Sequence, residues 1–410
     1  MDFTFTEEQQ AATEAARAVF SSVAPDAVPS PALVPGAVAD DIDRPLWAGL
    51  AAGDLLSLTL APEHGGAGLD LVALCLVLRE SAKVLARVPL LETCAVAMTL
   101  QRYGDRALAA ELLPGVGRGE LVLTVGANGR TGHDPAELAV TARPDGTTTG
   151  NTPSVTTSGT TSGNGDNAGS GNGDGTGGGS HWVLDGVQSG VPWAQAADWI
   201  AVPAHTGDGR AVLALVRRGH DGVTIAEQVS TNGELFGEVR LDGVRIESSE
   251  LIEAADAWEW LHSLLTTGTC ALALGLGEAV LAMTSEYTGK REQFGFPVAT
   301  FQSVAVQAAD RYIDLRAMEV TLWQAAWRIA VGGAGALPPA GDVAVAKIWA
   351  SDGVRRVVQT AQHLHGGFGA DTDYPLHRFH AWAKQIELSL GPAAAHEEAL
   401  GDLLAAHPLG

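Results

Sequence analysis

The sequence predicts an α+β protein of three consecutive domains: an N-terminal helical domain (residues 1–119), a middle β domain (120–254) and a C-terminal four-helix bundle (255–410). Three observations lead there. The first hundred or so residues carry apolar positions at helical spacing. Short runs rich in β-branched residues, divided by turn residues, fill the middle. Long helical stripes then return from Ala255 onward. A chain of 410 residues with 46% apolar content has material for more than one core.

The elements follow in order. Thr6 and Gln9 form a capping box ahead of an Ala-rich helix that stops before Pro25. A second helix spans Pro45 to Ala52, and a glycine-rich loop runs from Pro62 to Gly68. Leu71 to Ala86 reads as a core helix, Leu91 to Arg102 as another, and Ala107 to Leu113 as a short one before Pro114. Strands are expected at Leu121–Val125, Ala139–Ala142, His181–Leu184, Trp199–Pro203, Ala211–Val216, Val223–Glu227 and Glu238–Leu241. Between Pro144 and Ser180 lies a Thr/Gly/Ser/Asn/Asp tract. It has too few apolar residues to offset its ordering entropy, so it is expected to be disordered at a hairpin tip. In the bundle, Val306, Ala309, Ile313, Ala317, Val320, Trp323 and Trp327 define one apolar helix face. Ala344, Ile348, Val354, Val358, Ala361 and Leu364 define another.

The net charge of −23 argues against nucleic acid or an anionic membrane as the main partner. Cys75, Cys94 and Cys270 are odd in number, widely spaced and set in apolar runs, which fits buried thiols in a reducing compartment. The acidic start lacks a signal-peptide pattern, so a cytoplasmic location is expected. The apolar stretch Leu264 to Met283 contains Thr, Gly and Glu278, and reads as a buried helix and not a membrane span.

Three segments carry chemistry. One is Arg291-Glu-Gln-Phe294-Gly-Phe-Pro297 followed by Phe301-Gln302. The second is Gln362-His363-Leu-His365-Gly366-Gly367-Phe-Gly369, then Tyr374-Pro375-Leu-His377-Arg378. The third is the Pro62–Gly68 loop, with Phe236 to Ile246 closing the β domain. An arginine suits a pyrophosphate, and paired glycines let a backbone approach a cofactor closely. Four histidines, His363, His365, His377 and His380, show no ligand constellation with supporting groups, so no metal is expected.

Together these segments resemble the acyl-CoA dehydrogenase family over nearly the whole chain outside the 144–180 tract. The resemblance implies an N-terminal helical domain, a β domain and a helical bundle. It also implies FAD, an acyl-CoA substrate and an electron-transfer flavoprotein or similar acceptor. Arg291, Phe294, Gln302, His363, Gly366 and Gly367 would hold the adenosine diphosphate half of FAD, reaching it across a dimer interface. In the family reaction a carboxylate takes the Cα proton while the flavin accepts the Cβ hydride.

That carboxylate is missing. At the two places where family members carry it, the register gives Leu390 and Leu265. Glu387, three residues before Leu390, is the nearby substitute if the segment stays helical. The flavin-covering Trp-x-Thr pattern, set by Trp199 at its far end, leaves Gly190 and Pro192. The asymmetry resembles heteromeric acyl-CoA dehydrogenases of actinobacterial sterol side-chain degradation, in which a homologous subunit carries the base. The expected function is the base-lacking subunit of such a heterotetramer. A self-sufficient enzyme with a non-standard base and a flavin-free scaffold are the alternatives.

Overall fold

The computed structural model describes residues 4–25, 38–39, 41–132, 135–146, 181–332, 335 and 337–407. Five helices come first: α1 (Glu7–Phe20), α2 (Arg44–Ala52), α3 (Leu71–Ala82), α4 (Leu90–Tyr103) and α5 (Arg106–Gly117). The capping box is formed, with Gln9 N donating to Thr6 Oγ1 at 3.2 Å and Thr6 N donating to Gln9 Oε1 at 3.1 Å. Asp43, Asp70 and Asp105 cap α2, α3 and α5 with their carboxylates. The expected stop before Pro114 does not occur. Proline forfeits one N–H late in α5, and the helix continues one more turn to Gly117. The helix from Leu71 ends at Ala82, not Ala86, and Leu85 follows with φ 53°.

The β domain holds β1 (Leu123–Val125), β2 (Val140–Pro144), β3 (His181–Pro192), β4 (Trp199–Thr206), β5 (Ala211–Arg217), β6 (Val223–Val229), β7 (Leu235–Glu247) and β8 (Leu251–Ile252). They form one sheet in the order β6-β7-β3-β2-β4-β5-β8, with β1 parallel to the start of β4. β4 is buried along almost its whole length, which explains its continuous apolar run. β2 and β3 pair antiparallel, Pro144 opposite Trp182, so the Thr/Gly/Ser tract does join two hairpin strands. The expected disorder of that tract concerns 147–180, which lie outside the described residues.

The C-terminal domain contains α6 (Ala257–Lys290), the small hairpin β9 (Glu292–Gln293) and β10 (Phe296–Pro297), α7 (Gln302–Val331), α8 (Pro339–His365), α9 (Leu376–Leu388) and α10 (Ala393–Ala406). α6 is apolar and long enough to cross a membrane, yet most of its apolar residues are buried within the protein. Its Glu278 accepts from Arg79 Nε of α3 at 2.9 Å. A Cβ at Gly275 would overlap the Arg79 carbonyl, so the two helices meet there backbone to backbone. All three cysteines are buried and free.

One expectation is corrected. Of the α7 stripe, Trp323 alone is buried. Val306, Ile313 and Val320 are 52%, 62% and 50% exposed, and Trp327 is exposed too. The helix packs inward through Val304, Leu315, Met318, Leu322 and Ala326 instead. α7 therefore has two apolar faces, and periodicity cannot say which one the chain itself covers. The α8 stripe behaves as expected, with Ala344, Val354, Val358 and Ala361 in the core.

Candidate active site

A cavity of about 260 Å³ opens where the three domains meet. Its walls come from α3, the start of α4, the segment after β1, the β3 corner at Gly190–Trp193, α6 and the end of α9. A second hollow of about 630 Å³ runs on between the β domain and α6, sharing Ala127, Asn128 and Leu390 with the first. The lining of the first is mostly aliphatic and aromatic, as small-molecule sites usually are, whereas the second also carries Glu137, Glu259 and His262.

Both leucines assigned to the base positions line this cavity. Leu265 projects from α6. Leu390 lies just beyond α9, in the left-handed backbone region at φ 57°. The Leu390 segment is pinned from two sides. His396 Nε2 donates to Leu390 O at 2.8 Å. Lys347, 1% exposed, donates to Ser351 Oγ at 2.7 Å and Glu387 O at 3.0 Å, capping the C-terminal carbonyls of α9. Burial lowers the Lys347 pKa to about 8. Burial likewise lowers His396 and His262 to about 4 each, so both are neutral at physiological pH.

Glu387 does not line the cavity. α9 ends at Leu388, so the shared helix face with Leu390 does not arise. The carboxylate instead pairs with Lys384 at 3.1 Å and Arg355 at 3.7 Å. Two other carboxyls do reach the cavity wall. Glu234 is held by Arg87 Nε at 2.7 Å, though burial raises its pKa. Glu92, in the first turn of α4, has no cation beside it among the described residues. Burial raises its pKa to about 7, opposed by its own backbone N–H and by the Trp193 side chain. Sequence reasoning missed Glu92 because it is a single acid in an apolar helix, with no spacing partner. It also missed Trp193, which lines the cavity with φ 56°, whereas Trp199 is buried beneath Arg217.

The flavin-covering positions expected from the sequence are Gly190 and Pro192. Gly190, φ 59°, and Pro192 both line the cavity. Asn128 Nδ2 donates to Gly190 O at 2.8 Å, and a Cβ at Gly190 would crowd that amide. The segment is thus built around a small residue.

The six residues expected to hold the adenosine diphosphate moiety sit at one end of the bundle. Tyr287, one turn before Arg291, stacks on His365 at 4.4 Å and on Phe368 at 5.3 Å. That contact brings the end of α6 to the Gly366-Gly367 turn after α8. Arg291, Phe294, Gln302, His363, Gly366 and Gly367 are all exposed, Phe294 by 90% and its neighbour Phe296 by 61%. Gly366 has φ 59°, and a Cβ there would meet nothing. The guanidinium, the bare glycine backbone and an uncovered phenyl ring fit a pyrophosphate and an adenine presented from outside the chain. The histidines have other duties: His365 Nε2 lies 3.1 Å from Tyr374 Oη, and His377 Nδ1 donates to Tyr374 O at 2.8 Å.

Comparison with known proteins gives the family. Residues 6–120 match the acyl-CoA dehydrogenase N-terminal domain and 266–404 the acyl-CoA dehydrogenase C-terminal domain. The chain belongs to the acyl-CoA dehydrogenase family of FAD-dependent oxidoreductases. Among its relatives, the acyl-CoA dehydrogenase FadE27 of Mycobacterium tuberculosis is 33% identical over 371 residues, 89% of each chain. The crystal structure of the ChsE4-ChsE5 complex from Mycobacterium tuberculosis superposes with TM-score 0.84 at 31% identity, covering 100% of both chains. The Tcur3481-Tcur3483 steroid ACAD gives TM-score 0.82 at 34% identity over 98% of each.

Proposed function

We propose that this chain is the base-lacking subunit of a heteromeric acyl-CoA dehydrogenase, acting on a bulky, sterol-derived or similar acyl-CoA together with a homologous subunit that carries the base. The observation that carries this reading is the pair Leu265 and Leu390, both facing the cavity and neither able to accept a proton. Glu92 does not replace them. It lines the wall together with Trp193, directly after Pro192 at the corner expected to cover the flavin, whereas the base must approach from the opposite, bundle side.

The role of this chain's own residues follows. Arg291, Gln302, His363 and the Gly366-Gly367 backbone hold the adenosine diphosphate half of FAD, with Phe294 against the adenine. The aliphatic cavity excludes water and orients an acyl chain. FAD, when bound, supplies a hydride acceptor. The homologous subunit supplies the carboxylate, and an electron-transfer flavoprotein or similar carrier takes the electrons. The two-chain assemblies of the similar ChsE4-ChsE5 and Tcur3481-Tcur3483 proteins support the reading.

The test is to purify the chain alone and with a family neighbour that has glutamate at a base position, then record flavin absorbance and dye-linked acyl-CoA oxidation. Flavin and activity confined to the complex are expected. Activity in the lone chain would mean a self-sufficient enzyme. A complex without flavin would mean a scaffold.

A further inference from the structure

Two members of the glycine motif have no part in the roles given above. Gln362 lies in the last turn of α8, and Gly369 is buried in the 3-10 turn Gly366–Ala370 that follows. Oriented so that its nitrogen meets an acceptor, the Gln362 side-chain amide donates to Gly369 O at 3.0 Å, and its oxygen lies 3.3 Å from Ala370 N. Gly369 has to be small for this contact. A Cβ there would fall 2.9 Å from the amide and 3.0 Å from His365 Cβ. The preceding residue, Phe368, stacks on Tyr287 at 5.3 Å and lies 4.5 Å from the Tyr374 ring. The turn is therefore gripped at 368–370, while at Gly366 and Gly367 a Cβ would meet nothing.

Given the reading above that this end of the bundle holds the adenosine diphosphate half of FAD, on which this rests, we infer that Gln362 is a positioning residue: its amide, closed against Gly369, fixes the Gly366-Gly367 backbone in the form that receives the pyrophosphate. Consecutive glycines let a backbone come close to phosphate oxygens, but they lose more conformational freedom on ordering than other residues do. Gly366, at φ 59°, and Gly367 have no side chains to anchor them. A bond from the helix before the pair to the residue two places beyond it ties the turn back onto α8 before a ligand arrives. Less ordering is then left for the binding step. Gln362 acts through the turn and not on the ligand, since its amide is engaged with the protein. An apolar side chain of the same length would fill the space without holding the turn.

The test uses the protein purified with its companion subunit and carrying FAD. On dilution, flavin fluorescence rises as FAD leaves, which gives the dissociation constant. Gln362→Met keeps the length, removes both polar atoms and should raise that constant about tenfold. Amide exchange in 366–371 should quicken, while exchange in the rest of α8 stays as it was. Gly369→Ala pushes the amide away and should weaken FAD similarly, and the double variant should be no worse than Gly369→Ala alone. Unchanged FAD affinity in Gln362→Met, with Arg291→Ala releasing FAD, would overturn the positioning role alone. If Arg291→Ala also kept its FAD, the reading of this end as the cofactor site would fall as well. Weaker FAD without faster exchange in 366–371 would overturn the role, and so would additive losses in the double variant.

Discussion

Leu390, Trp193 and Phe294 are three of the five non-glycine residues with positive φ among the described residues, and all three lie at the candidate sites. Such backbone is held only where the surroundings fix it. At Leu390 the fixing groups are Lys347 and His396. Replacing Lys347 with methionine keeps volume but strips the α9 carbonyls of their donor. Urea unfolding should show a loss of about 1–3 kcal/mol, and amide exchange should quicken in 388–391; unaltered exchange there would deny the pinning role. His262 gives a pH test. Burial depresses its folded pKa to about 4 from 6.5, so the unfolded chain binds more protons between those values. The stability tied to its neutral form is complete above about 6.5 and drains as pH falls through 4. The urea midpoint should drop between those limits, and less steeply in His262→Gln; identical slopes would remove His262 as a cause. At this scale the sequence was informative where a residue is tied to a motif. Leu265 and Leu390 were found by register from Arg291 and Tyr374-Pro375. Glu92 was not, because nothing in a string of letters marks an acid that folding leaves in a cavity.

The helices were legible through caps and periodicity, and failed where either signal is ambiguous. Pro114 looked like a stop and lies inside α5. The α7 stripe looked like core and is exposed, because the same helix carries a second apolar face. Glycines within α6 separate packing from propensity. At Gly275 any side chain would strike the Arg79 backbone, so Gly275→Ala should cost about 2 kcal/mol or more and lower the thermal midpoint. At exposed Gly289 nothing lies nearby, so Gly289→Ala should gain about 0.5–1 kcal/mol through a less flexible unfolded chain. Reversed signs in calorimetry would show that α3 and α6 do not meet as described.

The whole molecule was legible as helical, β and helical domains, since the period of the apolar pattern changes near residue 120 and returns near 255. What covers its surface was not. Phe294, Phe296 and the Val306–Ile313–Val320 stripe are exposed apolar groups on the bundle, more than a chain meant to stay alone usually shows. Hydrogen exchange in 292–301 and along α7 should slow when the homologous subunit is added, and no slowing would place the companion elsewhere. The deepest commitment of the proposed function is chemical: with leucine at 265 and at 390, no carboxylate among the described residues lines the bundle side of the first cavity to take the Cα proton. Flavin absorbance followed anaerobically after mixing the FAD-reconstituted lone chain with acyl-CoA addresses that directly. The flavin should stay oxidised until the glutamate-bearing subunit is added and bleach thereafter. Bleaching by the lone chain would contradict it.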